Sequence, residues 1–165
     1  MENLQKVYTK KIREVNEMNY WERLKFLGLK SQERRIERYR IIYTWKCIEG
    51  KVPDCGVRSH QNERNGRFCD IEKLNTKSRQ AIQTLKEKSF KINGPKLFNC
   101  LPKSIRDTKD CSVDEFKFKL DNFLKKIPDQ PKTNTQDPEA MDQFTAKPSN
   151  SLLDQVRRMT NYSGG

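Results

Sequence analysis

The sequence predicts an all-α protein: a small irregular bundle of about five helices, with a long central loop and a disordered C-terminal tail. Three observations carry this. Apolar residues recur at steps of three and four over residues 2–49 and again over 113–127. Ser, Asn, Gly and Pro stand where such runs should begin and end. From Asp129 onward the chain becomes proline-rich and loses its periodicity. The expected division is therefore a basic helical domain over residues 1–127, with a loop at 51–80, followed by a mostly disordered tail over 128–165.

Taken in order, Leu4, Val7, Tyr8, Ile12 and Val15 predict one amphipathic helix over residues 2–17, with Lys6, Lys10 and Arg13 beside the apolar stripe. Asn19 offers a cap and Glu22 the partner of a capping box, opening a short second helix through Tyr20, Leu24 and Leu27 that Gly28 closes. Ser31 caps the longest helix, 32–49. Its predicted apolar side is Ile36, Tyr39, Tyr43 and Cys47, widened by Ile42 and Trp45; Gly50 ends it and Pro53 prevents resumption. Residues 51–80, with Gly56, His60, Asn62, Asn65 and Gly66, read as a loop with room for one short extended piece. Residues 81–92 are weakly patterned.

Residues 93–102 hold a compact apolar knot, Leu97, Phe98, Cys100 and Leu101, between Pro95 and Pro102. Pro95 fits the first position of a helix, after Asn93 or Gly94, and Pro102 should end that helix at Leu101. About two turns are too short to stand alone, so the knot should pack on something larger, expected to be the first three helices. The run Ser112-Val113-Asp114-Glu115 is a capping box before the clearest amphipathic helix, carrying Phe116, Leu120, Phe123, Leu124 and Ile127 and closed by Pro128. A small helix is expected at Ser151–Met159, inside the otherwise disordered tail.

Hydrophobic residues make up 33 % and charged residues 34 % of the 165, against about 45–50 % and about 25 % in ordinary globular chains. The core must be thin. Of the net charge of +12, residues 1–127 carry +13 and residues 128–165 carry −1. Such a field attracts polyanions, nucleic acid before an acidic membrane surface. Charged residues follow Met1 where a signal peptide would be apolar, and no stretch approaches the ~18 apolar residues of a membrane span. With five cysteines, an odd number, and no C-x-x-C pair, reduced thiols inside a cell, in nucleus or cytoplasm, are expected.

The residues offer four kinds of chemistry. Cys47, Cys55, His60 and Cys69 lie close in sequence, but with four and eight residues between successive ligands of the loop they match no common zinc spacing. A lone Cys with a lone His is a weak nucleophilic pair, and Cys100 sits in the apolar knot, where packing is the expected role. No Asp-Asp dipeptide and no phosphate-cradling Gly-rich loop occur. Basic helical faces remain. Lys6, Lys10, Lys11 and Arg13 line the first helix, while Arg34, Arg35, Arg38 and Lys46 lie on or near one side of the third. Arg grips phosphate as a planar fork and Lys as a point charge. Tyr20, Trp21, Tyr39, Tyr43 and Trp45 are interleaved with these cations and could stack on bases, although helical spacing assigns them to core packing. No metal and no cofactor are expected.

Motif order then brings a resemblance. Tyr8-Thr9-Lys10-Lys11-Ile12, Tyr20-Trp21-Glu22-Arg23-Leu24-Lys25 followed by Leu27-Gly28-Leu29, Ser31-Gln32-Glu33-Arg34-Arg35, Tyr43-Thr44-Trp45-Lys46 up to Gly50, Gly94-Pro95-Lys96-Leu97-Phe98-Asn99-Cys100-Leu101-Pro102, and Phe116-Lys117 with Lys119-Leu120-Asp121 stand in sequence. This order is similar to the region downstream of the catalytic palm in non-LTR retrotransposon reverse transcriptases of the jockey or chicken-repeat type, over about residues 2–130. The resemblance implies a helical, thumb-like piece of an RNA-directed DNA polymerase that touches template and primer. The family's Tyr-x-Asp-Asp motif has no counterpart here, so no catalytic residue is carried over and the chain is expected not to be an enzyme by itself. Expected partners are nucleic acid, whether RNA, DNA or hybrid, gripped without sequence preference, and a polymerase palm domain. The alternative is a fragment that only packs on such a palm. Within the resemblance, Pro95, Leu97, Phe98, Leu101 and Pro102 are a packing signature.

Overall fold

A computed structural model describes residues 2–73, 80–130 and 151–156. Among these the chain is mainly helical with one two-stranded sheet. The α-helices are α1 (Glu2–Lys10), α2 (Tyr20–Phe26), α3 (Gln32–Ile48), α4 (Gln80–Lys88), α5 (Phe90–Asn99), α6 (Lys103–Arg106) and α7 (Val113–Leu124). A 3-10 turn covers Arg13–Val15 and a helical turn covers 152–156. Strands β1 (Ser59–Asn62) and β2 (Gly66–Cys69) pair antiparallel, Ser59 opposite Cys69. The expectation of an all-α protein is corrected to that extent. Two compact units divide the chain: residues 2–35 with 128–130 and 151–156, and residues 36–127.

In the first unit the capping residues act as read from the sequence. Asn19 Oδ1 accepts from the backbone N–H of Trp21 and Glu22, and Glu22 returns a bond to the Asn19 N–H. Gly28, at φ +63°, reverses the chain after α2, and the Leu29 N–H closes on the Leu24 carbonyl at 2.8 Å. Ser31 Oγ accepts from the Arg34 N–H. One expectation fails here: α1 stops at Lys10, and Leu4, Val7, Tyr8 and Ile12 remain exposed, with Val15 alone of that stripe fully buried. The segment is instead tied by polar groups. Thr9 is buried and receives Arg23 Nε at 3.2 Å, and the Tyr20 hydroxyl donates to Glu2. Part of the expected tail belongs to this unit as well. Leu152 is fully buried, and Gln155 Nε2 donates to the Gln130 carbonyl. The expected disorder of 128–150 falls, from residue 131 on, outside the described residues, as do 157–159 of the expected last helix.

The second unit is built around α3. Ile41, Thr44 and Trp45 are buried, whereas Ile36, Tyr39 and Tyr43, the expected apolar side, are exposed. The Trp45 ring stacks on Phe116 of α7 with centroids 4.4 Å apart, and its indole N–H donates to the Thr108 carbonyl. Phe116, Leu120, Leu124 and Ile127 are buried as their spacing predicts, and Ser112 caps α7 through the Glu115 N–H. The knot is core: Leu97 and Phe98 are 0 % exposed and Leu101 is 2 %. Its helix, however, starts a turn before Pro95, at Phe90, with Pro95 inside. Gly94 explains the difference, because a Cβ there would lie 2.6 Å from Thr44 Oγ1 of α3 and 2.9 Å from the Phe90 ring. Without that Cβ the extra turn seats against α3, burying Ile92 and offsetting the backbone bond that Pro95 cannot donate.

The hairpin occupies part of the expected loop. Its turn is closed by Asn62 Oδ1, which accepts from the Arg64 and Asn65 N–H groups. Gly66 follows at φ +77°, where a Cβ would meet the Asp107 carboxylate and Lys103 Cγ at 2.6 and 2.8 Å. Arg106 holds the hairpin to the helices. Its guanidinium donates to the carbonyls of Leu101, Arg67 and Asn65 and lies 3.7 Å over the Phe68 ring. Asn99 bonds both the N–H and the carbonyl of Cys69. Arg67 is buried against Glu49 at 2.5 Å. Cys47 and Cys55, expected as free thiols, are joined as a disulfide, the chain reversing between them at Gly50, φ +65°.

Two outcomes follow for stability. Phe98→Ala should cost about 3–5 kcal/mol, read from urea unfolding followed by Trp fluorescence, because it empties a fully buried site. Asp107 accepts from the Arg67 N–H at 2.6 Å, which holds its carboxyl below the usual range. A depressed carboxyl stabilises the fold fully above its unfolded value, about 4, and loses that contribution as pH falls further. Asp107→Asn should therefore flatten the acid limb of the unfolding midpoint below about pH 4.

Candidate functional site

Each unit presents its own share of the cations read from the sequence. In the first, Lys6, Lys10, Lys11 and Arg13 are exposed on α1 and the turn behind it. None of the four is held in an ion pair with another described residue. Lys6 Nζ lies 5.2 Å from the Tyr20 ring and Lys11 Nζ 5.7 Å from the Tyr8 ring, contacts that position an ammonium without cancelling it. Lys10 ends α1, where the helix dipole favours a cation. Arg35 is exposed and borders a shallow groove of ≈ 440 Å³ with Leu4, Tyr8, Ile12 and Leu29.

Arg34 does not join them. It is 1 % exposed, donates Nη2 to the Pro128 carbonyl and lies 3.8 Å from the Asp129 carboxylate. Asp129 also accepts from the Ser31 N–H and hydroxyl, both at 2.7 Å. A carboxylate is thereby fixed at the start of α3, the end a helix dipole favours for an anion. Arg34 is structural, and Asp129, assigned to the tail from sequence, is its partner. Chain order separates them by 94 positions or more, so no local pattern could pair them.

In the second unit Arg38 is likewise committed. Nε and Nη2 bond the two oxygens of Asp121 at 2.6 and 2.7 Å, which raises the guanidinium's affinity for its proton and cancels its charge outward. Lys46 remains half-exposed and lends part of its field to Asp114. It borders a second groove, ≈ 490 Å³, with Ile36, Tyr39, Arg40, Ile42, Tyr43 and Phe90. Arg40 was not singled out from sequence. Its guanidinium is oriented by neutral acceptors, Asn93 Oδ1 at 3.2 Å and the Lys88 carbonyl at 3.5 Å, so its charge is kept. The available signal was spacing, since Arg40 falls four after Ile36 and three before Tyr43.

Cys47 and Cys55 are paired with each other. The Cys69 thiol is buried and pushed up to about 12, chiefly by loss of solvent, which keeps it protonated at neutral pH. His60 is exposed, with Nδ1 2.9 Å from the Asp70 carboxylate and its ring stacked on Phe68. Among the described residues no group of three or more His, Cys, Asp or Glu converges as a metal site. No helix among them is long and apolar enough to cross a membrane. Comparison with protein-family models, with curated proteins and with solved structures returns no match.

Proposed function

We propose that the chain is a non-catalytic, basic helical module that grips the nucleic-acid backbone without sequence preference, acting as a thumb-like piece of a retrotransposon reverse transcriptase whose palm lies elsewhere. One observation carries the reading: Lys6, Lys10, Lys11, Arg13 and Arg35 are exposed in one unit, and residues 36–127 hold 21 Lys and Arg against 12 Asp and Glu. Cations on a folded scaffold suit a polyanion, because neutralised phosphates release condensed counterions. The motif order supplies the polymerase context. No residue of this chain is assigned a catalytic role.

The measurement is the salt dependence of binding to a short duplex or hybrid. Affinity should fall steeply with salt, and Lys10→Gln, Lys11→Gln and Arg13→Gln together should reduce the logarithmic slope by about one per lost phosphate contact. Arg34→Ala should leave that slope unchanged and lower the unfolding midpoint instead. Affinity that does not weaken with salt rules the reading out.

A second reading, a fragment that packs on a polymerase palm, is favoured by the exposed apolar residues of the first unit, Leu4, Val7, Tyr8, Ile12, Phe26 and Leu29. It expects the purified chain to self-associate at high salt, where mutual repulsion is screened. Leu4→Ser with Ile12→Ser should reverse this. Light scattering from a monodisperse monomer at every concentration counts against a palm-packing role.

A further inference from the structure

We propose that the groove on the outer face of α3, in the second unit, seats unpaired bases of a single-stranded nucleic acid. The inference rests on the nucleic-acid reading above and adds which form of nucleic acid this face selects.

The rings come first. Tyr39 is 62 % and Tyr43 43 % exposed, although both lie at helical spacing with apolar neighbours. Large aromatic rings are costly to leave in water and serve as platforms where they are so displayed. They stand one turn apart on α3, an axial rise of about 6 Å. Bases stacked within a duplex rise by about 3.4 Å, so two such rings fit bases separated from each other. Tyr43 is braced by Phe90, centroids 5.1 Å apart and nearly perpendicular. Ile36 and Ile42 complete the apolar lining.

Charge then selects the occupant. Arg40 and Lys46 border the groove, and no carboxylate is among its lining residues. Arg38 lies 5.7 Å over the Tyr39 ring, held there by Asp121. The unit carries a net +9 over residues 36–127. An anionic strand with exposed π-faces answers both features at once: phosphates meet Arg40 and Lys46 while bases meet the tyrosines. A second copy of this chain would instead bring its own +12 to the same face and be repelled.

The test uses the full chain with a fluorescein-labelled short oligothymidylate and a blunt duplex of equal length, each titrated by anisotropy at several salt concentrations. The wild type should bind the single strand more tightly. Tyr39→Ala should weaken single-strand binding about tenfold, near the lower end of what one stacked base is worth, with duplex affinity and salt slope unchanged. Tyr39→Phe should retain wild-type affinity. Tyr43→Leu, which keeps an apolar contact for Phe90, serves as the second variant, and thermal melts check folding. If both Tyr39→Ala and Tyr43→Leu bind the single strand as the wild type does, or the duplex is preferred, the groove is not a base seat, while salt-sensitive binding still supports backbone grip. Absence of salt-sensitive binding to either probe overturns both proposals.

Discussion

Burial of the Trp45 ring is the constraint on which the second unit depends. The indole stacks on Phe116, and its N–H is spent on the Thr108 carbonyl. One side chain therefore fixes α3, α7 and the segment between α6 and α7. A helix is rigid and turns about 100° per residue. Once position 45 faces the core, position 41, about 40° round the helix, must follow it inward. Positions 36, 39 and 43 lie on the opposite side, about 120–180° away. The aromatic groove is thus a consequence of how the core is filled, and Arg40 and Lys46 come with it because they share the outer arc.

A second constraint concerns which cations are left for a partner. Among the described residues the buried cations are Arg23, Arg34, Arg67 and Arg106; no lysine is buried. The chemistry explains the choice. A guanidinium has five donors in a plane and can satisfy several carbonyls at once, whereas an ammonium is more tightly hydrated. Arg106 meets three carbonyls and a ring, and its proton affinity is lowered by loss of solvent. Arginines thus bind the fold together while lysines carry most of the outward field. Formal charge alone cannot make this division.

Local geometry was readable in advance wherever it depended on neighbouring residues. Asn19 with Glu22, Ser112 with Glu115, Gly28 and Gly50 all act at the positions their chemistry indicated, because a cap or a reversal involves groups within a turn of each other. The packing role of Leu97, Phe98 and Leu101 was legible for the same reason: a short apolar helix has little else to do than bury its side chains. The start of that helix was not, since it depends on Gly94 meeting Thr44, fifty positions away in sequence. The hairpin was hidden by its polar β1 strand, which carries no alternation to read and is exposed throughout. Of the eight cations singled out, Arg34 and Arg38 were lost to Asp129 and Asp121, partners too distant to recognise.

The sequence by itself determined the starts of α2, α3 and α7 and the reversals at Gly28 and Gly50, that the chain is basic, and that the knot between Pro95 and Pro102 is a packing element. These are properties of single residues and of neighbours along the chain. Only the tertiary structure decided that the apolar stripe of α1 stays exposed, which side of α3 is buried, and which arginines are buried or ion-paired. Periodicity identifies an apolar stripe, but α3 carries apolar residues on both sides, and the side that meets a partner wins. In this chain that partner was a ring seventy-one positions downstream, Phe116.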